Sequence, residues 1–172
     1  MLNRRTFLAT TTASLCVPAV HSSAQERTRD LRIGLAADAQ YADAAPNGKR
    51  HYREGDNRLA DAVAEFNQQS VDCCFHLGDL IDRDFVSFDN CFRSLEELTV
   101  TCHHVLGNHD FDVAADKKSQ VPERMGLQQP YYAKTLDKIR FVMLDGTENS
   151  TYAYLDDDPR HSAAQRQLTE LQ

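Results

Sequence analysis

Short apolar runs alternate along the chain with amphipathic stretches. Leu31–Ala37 is mostly apolar, stops at Asp38 and reads as a buried strand. Tyr41–Gly55 is polar, carries the turn signal Pro46-Asn47-Gly48 and reads as a loop. From Asp56 to Gln69, Leu59, Val63 and Phe66 recur at helical spacing, with Asp56 or Asn57 as the expected N-cap. Val71–Leu77 is a second apolar strand, ending at Gly78-Asp79. A helix is expected around Phe88–Leu98, then a third strand over Thr101–Leu106 that ends at Gly107-Asn108. Tyr131–Leu136 and Ile139–Leu144 read as paired strands around Asp137-Lys138. Strands alternating with helices predict an α/β layered fold, with sheets flanked by helices.

Composition narrows this picture without changing it. The 172 residues are 41% apolar, enough for one domain with its own core. That excludes a disordered tail, a collagen-like fibre and a polytopic membrane protein. The formal charge is −7, from 19 Lys+Arg against 26 Asp+Glu, and no basic stripe stands out. Binding to a nucleic-acid duplex or an anionic membrane surface is therefore not expected, because phosphate backbones demand clustered cations. An acidic chain can still take a small phosphate ligand when metal ions carry the positive charge.

The first residues read as an export leader. Arg4-Arg5 followed by Thr6-Phe7-Leu8 resembles the twin-arginine consensus. Ala9–Val20 is too short and too polar to span a bilayer, so no stable membrane anchor is expected. Ser22-Ser23-Ala24 offers small residues for cleavage after Ala24. Residues 1–24 are thus expected to be a signal peptide, 25–30 a linker and 31–172 the domain. The implied partner is the twin-arginine export machinery, and the implied location is periplasmic or extracellular. Folded export suits a metal such as manganese, which binds weakly and loses to copper or zinc in open competition. Cys73, Cys74, Cys91 and Cys102 follow the leader and read as core cysteines. The vicinal pair points to opposite faces of a strand.

The candidate chemistry sits where the strands end. Asp38-Ala39-Gln40, Gly78-Asp79-Leu80-Ile81-Asp82 and Gly107-Asn108-His109-Asp110 each follow a predicted strand. Parallel neighbouring strands would bring the three clusters together at the carboxyl edge of a sheet, where α/β proteins bind their ligands. Carboxylate, amide and imidazole groups converging there suit hard or borderline divalent metals. Without a cation, carboxylates at such range repel one another.

In this order the three clusters resemble the calcineurin-like metallophosphoesterases. Most of that superfamily has Asp-x-His in the first cluster. Gln40 in place of His is closer to the manganese-dependent ADP-ribose/CDP-alcohol diphosphatase branch. Arg50-His51-Tyr52-Arg53, Tyr131-Tyr132 and Phe141-Val142-Met143-Leu144-Asp145-Gly146 match the same branch. The resemblance implies two divalent metal ions, manganese first, with iron or zinc as alternatives. It implies that Asp38 and Gln40 bind one ion, that Asp79 bridges both and that Asn108 binds the other. His109 would serve the leaving oxygen, and Asp82 would orient His109. The implied reaction is hydrolysis of a small phosphate ester or diphosphate by a hydroxide activated between two metals. The substrate would be a nucleoside-diphosphate-linked molecule such as ADP-ribose or a CDP-alcohol. The alternatives are a phosphomonoesterase or a cyclic-nucleotide phosphodiesterase with the same core, or an inactive metal-binding fragment.

Other residues read more plainly. Arg50 and Arg53 are candidates for meeting a substrate phosphate, with a solvated loop as the alternative. His76 reads as a satisfied strand histidine, and Cys102-His103-His104 as core or structural. His51 and His161 read as surface residues. Asp156-Asp157-Asp158 before Pro159 reads as a solvated turn capping the next helix. The resemblance also implies later histidines, one after a further strand and then a Gly-His-x-His pair, whereas the single histidine after His109 is His161. On that reading residues 31–172 correspond to the first half of the catalytic domain and would show little diphosphatase activity alone.

Overall fold

The computed structural model describes residues 30–147, 150–151 and 153–170. The expected leader lies outside the described residues, as does the linker apart from Asp30.

Three strands form a parallel sheet in the order β1-β2-β3, with β1 at Ile33–Ala36, β2 at Cys73–His76 and β3 at Cys102–His104. The register runs from Ile33↔Cys73 to Ala36↔His76 and from Cys74↔Cys102 to His76↔His104. Parallel strands need long crossovers, and each crossover here carries a helix. Helix α1 (Glu54–Gln68) joins β1 to β2, and α2 (Ser87–Glu96) joins β2 to β3. The α/β expectation holds. The ladders are shorter than the apolar runs, because the chain leaves the sheet at Ala37, Leu77 and Val105 to build the loops described below.

The two faces of the sheet have different covers. Gly34 lies under the Phe66 ring of α1, so close that a Cβ on it would come within 2.9 Å of that ring. His104 on the same face meets the Phe92 ring of α2. Leu59, Val63, Leu80, Ile81, Phe88, Cys91, Leu95 and Leu106 form the main core on this side. The opposite face presents Cys73 and Phe75 to the antiparallel hairpin of β4 (Tyr132–Leu136) and β5 (Ile139–Met143). Phe75 meets Phe141 at 4.9 Å between ring centroids. Covered on both faces, all four residues of β2 are buried, which explains its apolar run. The hairpin turns at Asp137-Lys138 as expected, with Asp137 in the left-handed region at φ 52°. Helix α4 (Pro159–Glu170) starts where Asp158 accepts the backbone N–H of Arg160 at 2.8 Å, so the acidic run does cap a helix. Two short 3₁₀ turns (His109–Phe111 and Ala115–Gln120) and a single helical turn, α3 (Val121–Arg124), lie between β3 and the hairpin.

Four expectations need correction. Helix α1 begins at Glu54, two residues early, with Arg53 at the N-cap and no side-chain cap. The Asp56 carboxylate is engaged elsewhere, accepting a 2.6 Å hydrogen bond from the Ser94 hydroxyl of α2. His76 is not satisfied: it is fully buried and neither ring nitrogen has a hydrogen-bond partner. Burial lowers its pKa to about 3, with His104 beside it, and His104 is itself lowered to about 4. His161 is largely covered, with its side chain only 12% exposed and 3.8 Å from Asp156. Tertiary packing of α4 decides that, and the local sequence is polar enough to conceal it. The four cysteines behave as expected and are free, with Cys73, Cys74 and Cys91 buried. No helix among the described residues is long and apolar enough to cross a membrane.

Candidate active site

Three loops leave the carboxyl ends of β1, β2 and β3 and are laced together by their backbones. The N–H groups of Asp38, Gln40 and Tyr41 donate to the carbonyls of Gly78, Asp79 and Leu80 at 3.2, 3.0 and 3.2 Å. Asp82 N–H returns to the Tyr41 carbonyl at 2.9 Å. Asp38, Gln40 and Asp79 all have left-handed backbones, at φ 55°, 43° and 56°. Such conformations cost energy for residues with a Cβ and cluster where a site must present side chains in a fixed direction.

The second and third loops are joined by two carboxylates. Asp110, fully buried, accepts from four backbone N–H groups. Oδ1 takes Leu80 and Ile81 at 2.8 and 3.3 Å, and Oδ2 takes Gly107 and Asp79 at 2.8 and 3.1 Å. In return Asp79 Oδ1 accepts the His109 N–H at 2.8 Å. Burial raises the Asp110 carboxyl to about 6, against the downward pull of the Gly107, Ile81 and Leu80 amides. The loops approach so closely that a Cβ on Gly107 would stand 2.2 Å from Asp79 Oδ1, which only glycine avoids.

The sequence-derived site residues fall as follows. Asp38 and Gln40 share the first loop, with the Gln40 amide 3.4 Å from Asp38 Oδ1. Asp79 stands at the centre of the second loop and Asn108 on the third. Asp82 is buried, and its Oδ1 lies 3.7 Å from His109 Nδ1. Arg50 reaches Asp82 Oδ2 at 3.1 Å, and Arg53 turns to the exposed Asp43 at 2.6 Å. A cavity of about 450 Å³ opens beside the first loop, lined among others by Asp38, Gln40, Lys49, Arg50, Tyr52 and Arg58. Two residues escaped the sequence reading. Asp110 reads in sequence only as the last residue of its cluster, although the N–H groups of a tight Gly78–Ile81 turn demand an acceptor. Asp112 joins Asp82 and His109 in a group whose donor atoms lie within 4.8 Å of one another and could hold a metal ion. A lone aspartate beyond a cluster carries no signal in sequence.

The donors are chemically suited to divalent ions. Asp38 and Asp79 offer carboxylate oxygens and Gln40 and Asn108 amide oxygens, a hard set that matches manganese or magnesium better than softer metals. Residues 31–164 match the family model described as calcineurin-like phosphoesterase. The chain belongs to this family. The chain is 29% identical to the manganese-dependent ADP-ribose/CDP-alcohol diphosphatase of Danio rerio, over 80% of this chain and 52% of that protein. It is 30% identical to the protein of the same name from Mus musculus, over 92% of this chain and 55% of the relative. Among solved structures it resembles a dimetal phosphatase from Danio rerio, with a TM-score of 0.67 at 28% identity, covering 81% of this chain and 52% of that one. The chain spans about half the length of these relatives.

Proposed function

We propose that this protein hydrolyses the phosphoric anhydride of a small nucleoside-diphosphate-linked molecule of the ADP-ribose or CDP-alcohol class. One observation carries the reading. The first strand-end loop pairs Asp38 with Gln40, not with a histidine, in a family whose similar members bear that activity in their names. Two divalent ions, manganese in the first place, would be held by Asp38, Gln40, Asp79 and Asn108. When bound, they supply charge neutralisation on the phosphoryl oxygens.

The remaining steps fall to this chain's own side chains. Left-handed backbones at Asp38, Gln40 and Asp79 hold their oxygens in place before any ligand arrives, so less rearrangement is needed on binding. The Asp82 carboxylate faces Nδ1 of His109, which turns Nε2 toward the substrate and lets His109 pass a proton to the leaving oxygen. Arg53 is engaged by Asp43 and would have to leave it to meet a phosphate. The twin-arginine-like start belongs with export to the periplasm or the outside of the cell, and we propose that location.

Two measurements test the reading. Mn²⁺ titrated into the chain and followed by electron paramagnetic resonance should lose its free-ion signal, and Asp79→Ala and Asn108→Ala should weaken that binding. Wild-type affinity in both variants would overturn the ligand assignment. Any hydrolysis measured should favour ADP-ribose and CDP-choline over p-nitrophenyl phosphate and cyclic AMP. A preference for either of the last two substrates would overturn the substrate class.

A further inference from the structure

Cys74 of β2 and Cys102 of β3 are register partners on adjacent parallel strands. Both side chains belong to the sheet face that α1 and α2 cover, the face that also carries His76 and His104. The ladder around them is closed: the Cys74 N–H donates to the Thr101 carbonyl at 3.0 Å, and the Val105 N–H to the His76 carbonyl at 2.9 Å. The two thiols are hydrogen-bonded to each other. Strands paired in this way stand about 4.8 Å apart, within the roughly 4.4–6.8 Å between Cα atoms that a disulfide spans. The sulfurs can therefore be joined with the ladder in place. The other two cysteines of the domain are engaged elsewhere. Cys73 packs on the opposite face with Phe75 and Met143, and Cys91 Sγ donates to the Leu80 carbonyl at 3.5 Å. Nor do the two sulfurs converge with His76 and His104 on a metal. Among the described residues, the group whose donor atoms approach closely enough is Asp82, His109 and Asp112.

We infer that Cys74 and Cys102 are a site of oxidative modification, forming a disulfide that clamps β2 to β3 ahead of the Asp79 and Asn108 loops. Both are free thiols in the structure, the reduced form of the pair. On oxidation the two thiols give up two protons and two electrons and one S–S bond forms. An external disulfide, of the glutathione or dithiol-oxidant class, takes up both and is cleaved to two thiols. Oxidising compartments supply such a partner, and the export proposed above leads to one. The bond would close the segment that carries α2 into a loop and so restrict the unfolded chain. Cys102 is partly exposed and lines an open cavity of about 610 Å³ with Phe92, Arg124 and Gly126, which leaves a reductant a path to the bond.

The full chain is held at pH 8 in mixed reduced and oxidised glutathione, with urea just below its unfolding midpoint so that buried thiols open transiently. Tryptic peptides are then mapped by mass spectrometry. The peptide with Cys73 and Cys74 is linked to the peptide with Cys102, and Cys91 stays free. Substitution separates the vicinal thiols: Cys73→Ser keeps the link, whereas Cys74→Ser and Cys102→Ser lose it. Should Cys73→Ser lose its native circular dichroism, fragmentation between residues 73 and 74 of the wild-type linked peptide assigns the sulfur instead. Reduction of the oxidised protein with dithiothreitol lowers its urea midpoint by roughly 1 M. Free thiols at Cys74 and Cys102 in the wild type, a link that survives in Cys74→Ser, a link from Cys102 to any other cysteine, or a midpoint unmoved by reduction overturns the inference. No metal, substrate or turnover enters these readouts, so the diphosphatase reading can fail without touching them.

Discussion

Asp79 and Asp110 clasp the second and third site loops to each other. The Asp79 N–H donates to Asp110 Oδ2 at 3.1 Å, while the Asp79 carboxylate accepts the N–H of His109, the residue before Asp110, at 2.8 Å. The left-handed backbone of Asp79 is thus held from two sides. A proposed metal ligand is aimed by a buried acid that points away from solvent.

Asp110→Asn keeps the shape and removes the charge. One of its two oxygens becomes an NH₂ facing two N–H donors, so two buried amides lose their acceptor. Unsatisfied buried donors cost about 1–3 kcal/mol each. Urea unfolding should show a loss of roughly 3 kcal/mol, with weaker Mn²⁺ binding in the fraction that remains folded. A loss under about 0.5 kcal/mol would show that the clasp contributes nothing.

Gly55 sets the distance between α1 and the first loop. A Cβ there would fall 2.1 Å from the Ala39 carbonyl oxygen, a backbone atom that cannot step aside. Gly55→Ala should cost about 1–3 kcal/mol by overpacking and displace Asp38 and Gln40. Gly146→Ala, with nothing within 4 Å, is the control and should be neutral. Equal thermal midpoints for the two variants would refute the prediction.

Acid should destabilise the protein through His76 and His104. Their folded pKa values are lowered to about 3 and about 4, so the unfolded chain takes up these protons first. Their contribution is intact above about pH 6.5 and declines as pH falls toward 4, by up to ~1.4 kcal/mol per pH unit for each. Asp110 acts with the opposite sign. Its raised pKa, about 6, favours the folded state at low pH, and that contribution is lost as pH rises toward 6. His76→Leu should therefore flatten the acid limb of the stability curve relative to wild type. Parallel curves between pH 6.5 and 4 would remove His76 from the explanation.

The thiols should be inert in the folded protein. Burial pushes the Cys91 thiol up to about 12 and raises Cys73, the hydrogen bond between Cys74 and Cys102 raises Cys102, and Cys74, which that bond lowers, is fully buried and out of reach of a reagent. The thiolate is the reactive form, so alkylation by iodoacetamide at pH 8 should be slow until urea exposes Cys73, Cys74, Cys91 and Cys102 together. Rapid labelling of any of these four without unfolding would contradict the packing described.

Periodicity and spacing alone carried the alternation of β1, β2 and β3 with helices, the hairpin at Asp137-Lys138, the capping of α4 by the acidic run before Pro159 and the placing of Asp38, Asp79 and Asn108 at strand ends. These are local properties. A run of apolar residues declares its burial, and a glycine followed by a polar residue declares the turn. Folding decided what no window of sequence contains. Arg50 meets Asp82 across 32 residues, and Asp110 gathers amides from a turn about 30 residues earlier. Asp56 serves Ser94 and not its own helix, and His76 and His104 share a sheet face on which neither His76 ring nitrogen has a hydrogen-bond partner. Hydrogen-bond and ion-pair partners depend on which segments meet in space, and the same aspartate can cap, clasp or bind metal according to who arrives. The residue types were legible along the chain. Their partners were settled by the packing of three strands and two helices around a common edge.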